Sequence, residues 1–241
     1  RSIKIDSCNF DNEKGGIVLD DFKSGAEISN NHFLNIQDKS ALIIKHYADS
    51  DSDSDKITII GCTFDSCTGI DNKCFDIISN SRVFTFENNI IKNNIGTGHS
   101  NYFGTFNLNK KIANFELFNI SFVNNVCNSL YGGGIGIQFL GIAQLNFNKC
   151  EFKENSAKQD NTKSRPTQNA DQQYYNGDGG GIQLGYICTM NSINVLFLEC
   201  TFSSNHAQRH GGAIAIQTSM LVEIERCVFK NNVANYNFDG S

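Results

Sequence analysis

The chain of 241 residues, 39% of them hydrophobic, is long enough to bury a continuous core in one elongated domain or two compact ones. Its net charge of −5 and isoelectric point near 5.5 come without any Lys/Arg stripe to displace counterions from phosphates, which excludes a nucleic-acid binder. No apolar run reaches the ~18 to 20 residues of a membrane-spanning helix, and Arg1 to Phe10 lack a signal-peptide h-region, so any targeting signal is expected outside this segment.

Asn is the commonest residue, Pro166 is the only proline, Trp is absent, and Phe outnumbers Tyr 19 to 7. Asn side chains compete with the backbone for hydrogen bonds, which penalises helices and suits an all-β chain rich in turns. Nine cysteines are many for a reduced cytosolic enzyme, yet an odd number cannot all pair within the chain, so the count leaves the redox compartment open.

In chain order, one pattern recurs eight times: apolar-x-apolar-x-x-(Cys/Asn/Ile)-x-(Phe/Ile). Its rows are Ile3, Ile5, Cys8, Phe10; Ala26, Ile28, Asn31, Phe33; Ile57, Ile59, Cys62, Phe64; and Phe84, Phe86, Asn89, Ile91. They continue as Phe115, Leu117, Ile120, Phe122; Leu145, Phe147, Cys150, Phe152; Val195, Phe197, Cys200, Phe202; and Val222, Ile224, Cys227, Phe229. Alternation within each half is the period of a strand with one buried face, and the three-residue step between halves shifts parity, so each row reads as two short strands meeting at a corner. Between rows lies a third strand, a small residue then apolar-x-apolar: Gly16, Ile17, Leu19; Ala41, Leu42, Ile44; Cys74, Phe75, Ile77; and Thr105, Phe106, Leu108. Gly134, Ile135, Ile137; Gly181, Ile182, Leu184; and Ala213, Ile214, Ile216 complete that column.

The pattern predicts a single-stranded, right-handed parallel β-helix over residues 1–241, with three strands per coil and about seven to eight coils. The Phe/Ile anchors are 23, 31, 27, 31, 30, 50 and 27 residues apart. A left-handed hexapeptide helix needs near-constant coils of about 18 residues, and an antiparallel sandwich gives no reason for one two-strand register to recur. Length variation is expected in exposed insertions near 47–56, where Asp and Ser alternate, and near 158–178, which holds Pro166, Tyr174 and Tyr175.

Phe202-Ser203-Ser204-Asn205 followed by Gly211-Gly212-Ala213-Ile214 resembles the paired FxxN and GGAI motifs of polymorphic outer-membrane protein repeats. Looser forms are Phe152 to Asn155 with Gly179 to Ile182, and Phe122 to Asn125 with Gly132 to Ile135. The rows at Phe10, Phe33 and Phe64 depart from it, with Asn12 and Asn35 one place early and Cys67 in place of Asn, so the resemblance covers about the last half of the chain. It implies the passenger β-helix of a surface adhesin, that is, a cell-surface or extracellular structural module whose exposed insertions supply contacts.

Several residues are candidates for chemistry. Cys8, Cys62, Cys150, Cys200 and Cys227 share a column with Asn31, Asn89 and Ile120, and a linear ladder does not converge as metal ligands must, so core packing is expected there. Cys67, Cys74, Cys127 and Cys188 lie outside it, and no spacing specifies a disulfide among them. The Asn three places past the anchor (Asn94, Asn125, Asn155, Asn205, Asn232) is expected to form a stacked amide ladder and to take the left-handed backbone of the turn. Asn119-Ile120-Ser121 is an N-glycosylation sequon with Asn119 outward by parity, whereas Asn125-Val126-Cys127 matches only the rarer Cys form. Asp51, Asp53 and Asp55 are spaced like a weak Ca²⁺ loop but lack the Gly and bidentate Glu of an EF-hand, so no cofactor or metal is assigned.

Parallel β-helices include pectate lyases and polygalacturonases, so a carbohydrate-active enzyme is the alternative to a non-catalytic module. Asp20-Asp21 superficially resembles a polygalacturonase Asp pair, yet no Asn-x-Asp, Gly-His-Gly or Arg-x-Lys element follows in adjacent coils, and Gly98-His99-Ser100 and His210-Gly211 do not complete one. The expectation is no enzyme. Partners are expected to be neighbouring coils or subunits joined end to end, with host or matrix glycans or proteins at the insertions. The rows that open and close the segment lack a cap, which predicts either a longer parent chain or burial of both ends by neighbours.

Overall fold

Every assigned element in the computed structural model is a β-strand; it describes residues 2–11, 15–37, 40–47, 56–70, 74–81, 83–97, 104–112, 115–128, 137–142, 144–158, 179–184, 194–216 and 221–235. All the strand pairings among them are parallel. The architecture is a parallel β-solenoid.

Two faces carry eight strands each. The first runs from Ile3–Asp6 to Leu221–Glu225 and the second from Asn9–Asp11 to Val228–Lys230, with strands stacked in sequence order. On the second face the register joins Phe10, Phe33, Phe64, Ile91, Phe122, Phe152, Phe202 and Phe229 into one line, as the repeat predicts. Rings stack nearly face to face wherever two Phe meet, from 5.1 Å for Phe10 on Phe33 to 4.5 Å for Phe152 on Phe202. Ile91 interrupts the aromatic column between Phe64 and Phe122. At the far end the line is not buried: Phe229 is 48% exposed and Ile224 46%, because no described strand stacks on their upper side.

The third face, which closes each coil, corrects the predicted column in two places. Ile17, Leu42 and Phe75 stack as expected, but Phe75 sits over Gly104 and Ile77 over Phe106, two residues out of the predicted register. The physical reason is the Phe75 ring: a Cβ at position 104 would meet it at 2.4 Å, so only glycine fits beneath it. One coil on, Ile137 and Phe139 take the places expected for Ile135 and Ile137. Ile182 on Ile214 and Leu184 on Ile216 follow the prediction.

A fourth face was not predicted. After each of the last six second-face strands two or three more residues pair in parallel, giving a six-stranded sheet from Thr68–Ile70 to Val233–Ala234. Its central column is small, with Gly69, Gly96, Cys127, Ala157, Ala207 and Ala234 in register. Small side chains carry little hydrophobic signal, so three strands per coil understated these coils.

The insertion near 158–178 and the Asp/Ser run of the 47–56 insertion lie outside the described residues, apart from Tyr47, Lys56 and Lys158 at their edges.

Candidate functional site

The recurrent polar geometry of the molecule is at two corners, one between the first and second faces and one between the second and fourth. Both are built the same way. An inward apolar residue is followed two places later by a residue with left-handed backbone, and three places later by an inward Asn, Cys or Ile. Fourteen of the fifteen non-glycine residues with positive φ among the described residues occupy these two columns, with φ between 51° and 56°. At the first corner they are Ser7, Asn30, Asn88, Asn119, Lys149, Glu199 and Arg226, with Gly61 at φ 65° in the same column. At the second they are Asn35, Ser66, Asn93, Asn124, Glu154, Ser204 and Asn231. The left-handed place therefore belongs to the residue before the recurrent inward Asn, which corrects the expectation for Asn94, Asn125, Asn155, Asn205 and Asn232.

A left-handed turn swings the corner N–H and C=O inward, where they need partners. The inward Asn of the following coil supplies them. At the second corner Asn155 donates through Nδ2 to the Phe122 carbonyl at 2.8 Å, and its Oδ1 accepts the Asn125 N–H at 3.0 Å. Asn125 Nδ2 also reaches that Oδ1 at 3.1 Å, so the amides form a ladder from Asn94 to Asn232. Asn94, Asn125, Asn155 and Asn205 are fully buried and Asn232 half-buried, so these amides serve the fold rather than a ligand.

At the first corner Asn31 and Asn89 do the same for Ile5 and Cys8, and for Ile59 and Cys62. Elsewhere in that column a thiol takes over the donor role. Cys62 donates to the Ile28 carbonyl at 3.5 Å, Cys150 to Leu117 at 3.1 Å, Cys200 to Phe147 at 3.2 Å and Cys227 to Phe197 at 3.4 Å. Burial pushes the thiols of Cys62 and Cys150 up, Cys150 well above the ordinary range, so they stay protonated and act as small core donors rather than as ligands or nucleophiles. Among cysteines outside the column, Cys74 is also pushed well up by burial, with the Cys67 thiol beside it adding to the shift. Cys67 spans its corner by donating to the Phe33 carbonyl, and Cys127 is buried on the fourth face. All eight described cysteines are free thiols; Cys188 lies outside the described residues.

Outside the cylinder, the described carboxylates are engaged mainly between coils. Asp20 pairs with Lys45 at 2.9 Å, Asp65 with Lys92 at 3.1 Å, Glu27 with Lys4 at 3.0 Å and Glu199 with Arg226 at 3.1 Å. Desolvation pushes the Asp65 carboxyl up, but hydrogen bonds from Asn93 and Ser66 and the Lys92 ammonium outweigh it, leaving the group below the usual value. Asp21 sits at a bulge with φ 52°, where the strand register shifts between Asp20 and Phe22; both carboxylates are exposed, and Asp20 is held by Lys45. His210 is exposed beside Gly211, while Gly98-His99-Ser100 and Asp51, Asp53 and Asp55 lie outside the described residues. Among the described residues, no group of three or more His, Cys, Asp or Glu is placed to hold a metal ion.

Asn119 is exposed at the left-handed place of the first corner, and its Nδ2 donates to Asn88 Oδ1 at 2.7 Å. Outward amides also stack at the second corner, Asn124 on Asn93 at 2.9 Å and Asn93 on Asp65 at 2.8 Å. The repeat reading had not assigned this outer column a role. Its signal was present, since every residue before the inward Cys/Asn column is polar or Gly.

Close approach of the chain to the fourth face explains the glycine motif. Gly179 and Gly211 have φ 67° and 63°, and a Cβ on Gly180 or Gly212 would fall 2.6 Å from the backbone of His206 or Val233 in the fourth-face strand of the next coil. Residues 199–217, which hold the left-handed Glu199, the Phe202 to Asn205 corner and Gly211 to Ile214, match the family model of the Chlamydia polymorphic membrane protein repeat. No curated protein and no solved structure matches the chain.

Proposed function

We propose that this chain is a non-catalytic structural or adhesive module of an extracellular or cell-surface protein, a right-handed rod of seven to eight coils that holds its insertions outward. The observation that carries the reading is the coincidence, over residues 199–217, of the polymorphic membrane protein repeat with one corner-and-glycine unit of the solenoid. A unit specified by inward amides, small residues and close-packed backbone spends its sequence on stacking. Its contacts then fall to the variable loops, with glycans or proteins of a host or matrix as binding partners and subunits of the same protein joined end to end. Asn119, outward and exposed, is the residue placed to carry an N-linked glycan in a secretory host.

The test is surface labelling of intact producing cells with a membrane-impermeant amine reagent, coupled to incubation of the purified chain with polygalacturonan. Labelling of its exposed lysines without new reducing ends or unsaturated products is expected. A chain protected until lysis, or steady release of oligosaccharide, overturns the reading.

A further inference from the structure

Cys67 and Cys74 meet inside one coil. Cys67 is the inward residue of the second corner and Cys74 leads the third-face strand Phe75–Ser79, so the short fourth-face strand Thr68–Ile70 lies between them. Both are free thiols in the core, at 1% and 2% exposure. Asn94, the inward amide of the next coil, fixes where they lie: its Oδ1 accepts the Cys67 N–H at 2.9 Å and the Cys74 thiol at 3.7 Å. The contact recurs later in the repeat, where a Cβ on Gly181, which leads its own third-face strand, would stand 3.4 Å from Asn205 Nδ2. The residue that opens the third face therefore meets the inward corner column by construction of the coil. We propose that Cys67 and Cys74 are a disulfide site, oxidised to a staple across the fourth face of their coil when the chain folds in an oxidising compartment. The compartment rests on the extracellular reading given above; the pairing rests on the coil.

The hydrogen bonds that oxidation would remove are weak ones. Cys67 reaches the Phe33 and Asp65 carbonyls only at 3.8 and 3.7 Å, and Cys74 reaches Asn94 at 3.7 Å. Cys150 and Cys200, stacked at the first corner, are the contrasting pair. They donate to Leu117 at 3.1 Å and to Phe147 at 3.2 Å, so a bond between them would strip both buried carbonyls of a donor, and they are expected to remain thiols. Burial also disfavours a thiolate at Cys74, whose thiol is pushed well up, whereas a disulfide is uncharged and suits an apolar core. The reaction is thiol–disulfide exchange with a small disulfide, oxidised glutathione. One cysteine thiolate attacks it, forming a mixed disulfide and releasing one glutathione, and the second cysteine then displaces the other. The two cysteines give up two protons and two electrons, which leave with the two glutathione thiols. Burial sets the order of events: exchange precedes the docking of the coil that carries Asn94, and the finished bond is shielded from reductant.

The experiment refolds the reduced, denatured chain in a buffer of reduced and oxidised glutathione and selects the folded fraction by size exclusion. Remaining thiols are alkylated in denaturant, and tryptic peptides are mapped without reduction. Lys73 lies between the two cysteines, so the bond joins peptide Ile57–Lys73 to peptide Cys74–Arg82. Linked peptides are expected from the wild type and from Cys62→Ser, which removes the other cysteine of the first peptide, and are expected to be lost in Cys67→Ser. Dithiothreitol is expected to open the bond at least about tenfold more slowly in the folded chain than in urea. Full alkylation of Cys67 and Cys74 in the folded wild type overturns the proposal. So do linked peptides that persist in Cys67→Ser, or a bond that joins Cys150 to Cys200 instead. Because the buffer supplies the oxidant, none of these outcomes bears on the extracellular reading, which falls by surface labelling alone.

Discussion

The two corners share one backbone turn yet fill it differently. At the second, after Ile36 and Cys67, inward amides run unbroken from Asn94 to Asn232; at the first, Cys150, Cys200 and Cys227 follow Ile120, and amides remain only at Asn31 and Asn89. An inward Asn pairs an orphan carbonyl and an orphan N–H at once, whereas a thiol is a weak donor of small volume. The difference teaches that the repeat demands a shape at this place and rewards a hydrogen bond there, so Cys, Ile and Asn interchange at the first corner. The second corner, followed at once by the small-residue strand of the fourth face, holds to Asn over five successive coils.

Removing what both corners lean on should do the most damage. Phe152 lies between Cys150 and Asn155 and stacks on Phe122 and Phe202. Phe152→Ala is expected to lower stability by about 3 to 5 kcal/mol in chemical denaturation, since close stacking above and below prevents collapse of the cavity. Phe229→Ala, at a residue that is 48% exposed and stacks on Phe202, is expected to cost about 1 kcal/mol, and equal losses at the two sites would show that burial does not set the cost.

Exchanging the corner residues sharpens the comparison. Asn155→Cys leaves the buried Asn125 N–H without its amide acceptor and the Phe122 carbonyl with a weak donor, for an expected loss of about 2 kcal/mol. Cys150→Asn instead places an amide where Asn31 and Asn89 already work, and is expected to stay within about 1 kcal/mol of the parent. If thermal unfolding puts the two exchanges level, the corners are equivalent and the Asn ladder has no special weight.

Most of the first two faces was legible because large apolar residues recur at constant offsets and burial reads them directly: Ile3 through Phe229 needed only counting. The third face slipped where Gly104 stands beneath Phe75, since no periodicity reports that a ring from the neighbouring coil fills a glycine's space. The fourth face was missed because Gly96, Ala157 and Ala207 are silent on a hydrophobicity scale. At the corners, the inward Asn drew attention through its recurrence, while the left-handed place fell to Glu154, Lys149 and Arg226, types that carry no turn signal. The Asp51 to Asp55 run had no fixed row to anchor it, and loops of that kind are free of the repeat.

The outward side of the second corner titrates. The Asp65 carboxyl lies below its usual value of 3.8 when folded, so its contribution is fully present above the unfolded value and is lost as pH falls through the folded one. Stability is therefore expected to drop as pH is lowered from about 5 toward 2, and Asp65→Asn should flatten that slope by costing about 0.5 to 1 kcal/mol at neutral pH while changing little at the acid end. An unchanged acid limb in urea titrations would show that the contacts of Asp65 with Asn93, Ser66 and Lys92 contribute nothing to stability.

The smallest effect concerns strain that the repeat tolerates. Glu154 holds φ at 56°, a conformation that costs an ordinary L-residue about 1 kcal/mol, while Asn35, Asn93, Asn124 and Asn231 hold the same place with a side chain suited to it. The Glu154 carboxylate is exposed and reaches Lys153 only at 3.8 Å, so little is lost by replacing it. Glu154→Asn is therefore expected to raise stability by about 0.5 kcal/mol, and its outward amide falls above Asn124, in position to lengthen the Asn93 to Asn124 stack. The mirror substitution, Asn124→Glu, should lower stability by a similar amount. If Glu154→Asn destabilises while Asn124→Glu is neutral, left-handed strain is not what sorts residues along this column. The outer face would then be governed by charge, with Glu154, Glu199, Lys149 and Arg226 chosen for what they present to solvent.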